Sequence, residues 1–159
     1  MEWLRQRLNK AVEVGEKTLE TIRVFPEFGH PSSLWPSISL VVFETAEAFY
    51  LPSQIGVSDE LGAKIIAWTD FFHKFFESEC VDFRTPPVWK DGIDPCKWYS
   101  RGYEIVSELR MEFPHVRVIP QFAQYVFSVN QIREALGKTP IRPPDKKWVG
   151  HIDIRNLIN

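Results

Sequence analysis

Two stretches of this chain, 58–78 and 94–113, repeat apolar residues at helical spacing, and each opens on a helix-capping residue. In the first, Ser58 supplies the cap. Asp59 and Glu60 put acids where the helix dipole favours them, and Leu61, Ile65, Trp68, Phe72, Phe75 and Phe76 form one stripe. In the second, Asp94 followed by Pro95 gives a cap and a proline at the first helical position. Trp98, Gly102, Ile105, Val106 and Leu109 form its stripe, and Pro114 stops it. Helices apolar on one side must bury that side against each other or against a sheet. Gly102 lies inside its stripe and leaves room for another element to come close.

Alternation of apolar residues predicts short strands near 21–25, 37–43 and 116–119. In 37–43, Ile38, Leu40 and Val42 alternate and the other face turns apolar towards the end, the pattern of a strand covered on both sides. The expected architecture is α/β or α+β, a single domain over 1–159 with the short sheet packed against the two helices. A crossover from 37–43 through both helices to 116–119 would be right-handed if the strands are parallel. A helix is expected over 2–20 and another over 129–136, the latter with a capping box from Ser128 and Gln131 and a stop at Gly137. Residues 26–36 and 79–93 read as loops and 44–57 as ambiguous, with Pro52 and Gly56 favouring a loop. Residues 121–127 read as strand or helix, and 138–159 as an extended C-terminal tail. At 159 residues such a chain buries enough surface to need no disulfide or metal.

The chemistry-bearing residues form no established catalytic pattern. G-x-S-x-G, P-loop and G-x-G-x-x-G motifs are absent, and the four His and two Cys lack metal-ligand spacing. No catalytic residue, metal or cofactor is therefore expected. Asp70 and His73, three apart on a helix, and Glu27 and His30 in a loop are the carboxylate–histidine pairs. Either could act in acid–base chemistry, and either could be an ordinary surface pair. Cys96 falls in the first turn of its helix, where the dipole would lower its pKa. A small enzyme built on Asp70/His73 or Cys96 is thus one alternative. Cys80 and Cys96 make no disulfide framework, the N-terminus is charged with no apolar signal core, and the longest uncharged run, 28–43, is broken by Pro31 and Pro36. A cytoplasmic chain that does not enter a membrane is expected. Phe71 and Tyr99 lie off the helical stripes, and exposed aromatics would mark a partner surface.

A net charge of −2 conceals an asymmetry. Residues 40–82 hold Glu44, Glu47, Asp59, Glu60, Asp70, Glu77, Glu79 and Asp82 against Lys64 and Lys74, a net −6. Residues 115–159 hold seven bases against three acids, a net +4. The acidic stretch is either a solvated face or a surface that draws a basic protein. The basic tail with Trp148 suggests an adaptor or nucleic-acid-associated protein as a further alternative. Its seven bases spread over 45 residues form no dense patch, so direct nucleic-acid binding is not expected.

From Thr21 to Ile119 the chain resembles small bacterial immunity proteins of polymorphic and contact-dependent growth inhibition toxin systems. Four features carry the resemblance: Ile22, Val24, Glu27, Phe28, Gly29, Leu34 and Trp35; Ser58, Leu61, Ala67 and Trp68; Gly102, Leu109 and Glu112; and Val116 with Val118. The Pro-rich loop at 79–93 departs from the pattern, and 120–159 lies outside it. The resemblance implies a scaffold that binds and blocks a cognate toxin, often a nuclease, by protein–protein contact. The eight acids of 40–82 are then the expected contact residues.

Overall fold

A computed structural model describes residues 19–45, 47–77 and 87–141. Three strands, β1 (Thr21–Val24), β2 (Leu34–Pro36) and β3 (Arg117–Pro120), form one sheet in the order β2-β1-β3. β1 runs antiparallel to β2, with Arg23 opposite Trp35, and parallel to β3, with Ile22 opposite Val118. Pro36 and Pro120 both sit on edge strands, where a missing N–H breaks no ladder. The helices are α1 (Asp59–Phe75), α2 (Pro95–Glu112) and the short α3 (Val129–Ala135). The arrangement is α+β. Ile22 and Val24 of β1 and Val118 of β3 join the α1 and α2 stripes in one core, and the Arg110 guanidinium donates to the Val118 carbonyl at 3.1 Å.

The core is aromatic at its centre. Trp68 and Trp98 stack at 4.6 Å with their rings 6° from parallel, and Phe72 stacks on Trp98 at 5.6 Å. Each indole donates to the other residue's backbone carbonyl, Trp68 at 2.9 Å and Trp98 at 3.3 Å. Both polar handles are thereby satisfied inside the core. Gly102 makes this packing fit: a Cβ there would lie 2.7 Å from Trp68 Cζ2 and 2.8 Å from the Phe122 ring.

Local signals are realised closely. Ser58 and Ser128 accept from Leu61 and Gln131, Asp94 accepts from Cys96, and Gly137 takes the positive φ of a helix stop. α1 ends at Phe75 because Phe76 turns extended and bridges to Trp89. The strand expected over 37–43 does not form. The second strand is Leu34–Pro36, inside the expected loop, and 38–40 is a 3-10 turn. β1 is only four residues long and its far edge is already paired with 34–36. Ser37 closes the ladder by accepting from the Thr21 N–H, so 38–43 has no strand to pair with. Residues 121–127 form a short 3-10 turn, Ala123–Tyr125. That segment buries Tyr99 under Phe122 and Phe127, so this ring, expected off the stripe, belongs to the core. The helix expected over 2–20 and the tail beyond 141 lie outside the described residues, except that Leu19 and Glu20 are not helical.

Candidate functional site

The loop joining β1 to β2 builds a polar pocket on the sheet. Glu27 to His30 is a tight turn closed by a His30 N–H to Glu27 carbonyl bond of 3.0 Å, with Gly29 at the positive φ of 83° that its third position requires. The turn drives His30 inward until its ring is 1% exposed. There His30 Nδ1 accepts from the backbone N–H groups of Ser32, at 3.2 Å, and Ser33, at 3.0 Å. An acceptor Nδ1 means a neutral ring whose proton sits on Nε2. Burial enforces that state and pushes the imidazole down to about 4. Ser33 holds a left-handed φ of 57°, unusual for a side-chain-bearing residue. It is kept there by a Ser33–Thr69 hydroxyl pair at 2.7 Å and by the Phe25 N–H, which donates to the Ser33 carbonyl at 2.8 Å.

His30 lines a cavity of about 310 Å³ together with Arg23, Trp35, Phe49 and Tyr50. Trp35 and Phe49 each stand 4.5 Å from the His30 ring, and Ser32 Oγ donates to the Tyr50 carbonyl at 2.6 Å, tying the outer wall to the sheet. Arg23 is exposed and forms no ion pair among the described residues.

Beside this pocket, the described residues of 38–51 are held by hydrogen bonds, with Leu40 and Val41 against the core and Ile38, Val42 and Phe43 in solvent. The Val42 N–H donates to the Gln54 carbonyl at 2.7 Å, and buried Gln54 accepts from the Leu51 N–H at 2.7 Å and donates to the Thr45 hydroxyl at 3.3 Å. Ile38 is nevertheless 51% exposed, Val42 71% and Phe43 49%. Glu44 and Glu47 are exposed within the same segment. Of this segment, 38–43 belongs to the expected strand and 44–51 to the stretch whose sequence reads as ambiguous.

The other acids are placed differently. Asp59 and Glu60 open α1, Asp70 lies on its exposed side, and Glu77 follows its end, so they spread along a helix about 25 Å long. Glu60 is bound to Lys64 at 3.2 Å, and Lys64 also reaches Glu108 at 2.9 Å. Glu79 and Asp82 lie outside the described residues, as do Cys80, Trp148 and the basic tail from Arg142. Glu108 and Glu112 of α2 meet the start of α1. This pair was not singled out from the sequence, although a spacing of four puts both carboxylates on one helix face.

A cleft of about 530 Å³ separates α1 from α2, with Trp68, Phe71 and Trp98 among its walls and Lys64, Lys97 and Arg101 at its edge. The Asp70–His73 pair does not close. His73 instead donates Nε2–H to the Glu27 carbonyl at 3.0 Å and helps seat the turn that carries His30. Glu27 and His30 likewise touch through backbone only. Cys96 is half-buried, and burial first, with the Asp94 charge second, raises its pKa above the usual thiol value, the opposite of the expected dipole effect. No cluster of metal-ligating side chains occurs among the described residues, and none of their helices is long and apolar enough to cross a membrane. No protein-family model, curated protein or solved structure matches the chain.

Proposed function

We propose that the protein acts by stoichiometric contact with another protein, as a cytoplasmic immunity protein that neutralises a bacterial toxin of the nuclease class. The observation that carries the reading is the exposure of Ile38, Val42 and Phe43 on a loop held by hydrogen bonds, with Glu44 and Glu47 beside them. An apolar centre with charges at its edge is the layout of a protein-binding patch. A preordered loop loses little entropy on binding, and its carboxylates would speed encounter with a basic partner. The sequence resemblance supports the choice of a toxin as that partner.

The test is co-purification with the product of the adjacent gene, followed by a growth-rescue assay. Val42→Asp with Phe43→Ser should weaken the complex roughly thirtyfold, the effect of losing about 2 kcal/mol at an interface centre. The fold should be unaffected because both side chains are exposed. An adjacent product that is not toxic, or a double variant that protects as well as wild type, removes the reading.

A further inference from the structure

The cleft between α1 and α2 shares no residue with the 38–51 loop. The two helices run antiparallel, so that Ser58 meets Glu112, Lys64 meets Glu108, and Trp68 meets Trp98. The cleft, of about 530 Å³, is bounded at one end by the Lys64–Glu108 ion pair of 2.9 Å. At the other end stands a turn in which Gly92 takes a φ of 80° and the Ile93 N–H donates to the Lys90 carbonyl at 3.3 Å. The visible edge of the Trp68–Trp98 stack lies inside it, and Phe71, 37% exposed, stands in one wall. Both indole N–H groups are spent on backbone carbonyls, so these rings offer a ligand apolar surface and no donor. Ala67 also lines the α1 wall, and its lone methyl leaves the space open. The volume falls within the range of organic-ligand sites, and an apolar interior with a few polar groups at the edge is their usual layout.

Charge at the rim selects the ligand. Lys97 and Arg101, four apart on α2, bring two cations to the same side of the cleft. Like charges at that spacing repel, and an anion between them relieves the repulsion. Arg101 is paired only with Glu104, in an exposed contact of 2.7 Å that costs little to break, and Lys97 forms no ion pair among the described residues. Lys64 is taken by Glu60 and Glu108, and the Asp94 carboxylate by the Cys96 N–H that it caps. We propose that this cleft binds a flat apolar monoanion, an aryl carboxylate, with its rings on Phe71 and the Trp68–Trp98 edge and its carboxylate between Lys97 and Arg101. The Arg101 guanidinium supplies a planar fork for the carboxylate, and Lys97 supplies a second charge.

The experiment is a titration of the whole protein with 2-naphthoate, followed by NMR of the Trp indole N–H resonances. Saturable shifts of Trp68 and Trp98, with a dissociation constant of about 1 mM or below, are expected. The Trp35 indole, bonded to the Phe25 carbonyl on the sheet, should stay still. The neutral 2-naphthalenemethanol should bind roughly tenfold more weakly, and so should 2-naphthoate to Lys97→Gln with Arg101→Gln. Both side chains are exposed, so the double variant should keep the wild-type spectrum without ligand. Ala67→Phe, also at an exposed position, should fill the cleft and abolish the shifts. The proposal is overturned if 2-naphthoate leaves Trp68 and Trp98 unshifted or shifts Trp35 instead. It is equally overturned if the neutral alcohol binds as tightly as the acid, or if either variant binds 2-naphthoate as tightly as wild type.

Discussion

At Trp68, Trp98 and Gly102 single atoms decide whether the helices can meet. The two indoles stack and exchange hydrogen bonds with each other's carbonyls only because position 102 carries no Cβ. Truncating either Trp to Ala removes a buried ring and orphans a carbonyl contact, and should cost roughly 3–5 kcal/mol in a denaturant melt. Gly102→Ala tests the same joint in the opposite direction. Alanine is the better helix former by about 1 kcal/mol, but its Cβ would collide with two rings that cannot both move. A net loss of about 1–2 kcal/mol is expected, and a stabilised variant would show that the rings yield. His30 adds a pH dependence. Its folded pKa of about 4 lies below the ordinary histidine value of 6.5, so between those values the unfolded chain carries a proton that the folded chain refuses. The stabilising contribution is complete above pH 6.5 and should fall by about 3 kcal/mol as the pH drops to 4. Denaturant midpoints across that range should show the decline in wild type, with a shallower slope in His30→Asn.

Elements are joined at their ends. The Glu112 carboxylate, from the last turn of α2, accepts from both the N–H of Ser58, at 3.0 Å, and the Ser58 hydroxyl, so it seats the cap that starts α1. Glu112→Ala should therefore act like loss of a helix cap, costing about 1 kcal/mol, with Glu112→Gln recovering part of it. Equal stability of Glu112→Ala and wild type would mean that the cap holds by itself. The caps at Ser58, Asp94 and Ser128 were legible in the sequence because a cap needs only residues within one turn of itself. The 37–43 strand was misread for the opposite reason. Alternation describes a side-chain pattern, but a strand needs a free ladder edge, and β1 had given its edge to Leu34–Pro36.

Across the whole molecule, the surface charge takes a form that a count along the chain does not convey. Of the eight acids of 40–82, Glu44 and Glu47 lie beside the apolar loop, Asp59 and Glu60 open α1 where Lys64 binds Glu60, Asp70 and Glu77 stand further along, and Glu79 and Asp82 lie outside the described residues. If the loop is the contact, Glu44→Lys with Glu47→Lys should slow association and flatten its salt dependence while leaving the dissociation rate nearly unchanged. Reversal of Asp59 and Glu60 should do neither. Stopped-flow association at several ionic strengths measures both, and equal effects from the two pairs would return the contact to the acidic stretch as a whole. What the sequence determined by itself was local: two capped amphipathic helices, the positions of their stripes, the first and last strands, and the space at Gly102. These follow from spacing and capping, which act within a few residues. Tertiary structure alone decided the rest. It paired 34–36 with β1, left Ile38, Val42 and Phe43 in solvent, drew Tyr99 into the core, and placed Arg23, His30 and Phe49 around one cavity. Each of those outcomes depends on which distant segment occupies a neighbouring position, and the residues involved carry no mark of that in their own order.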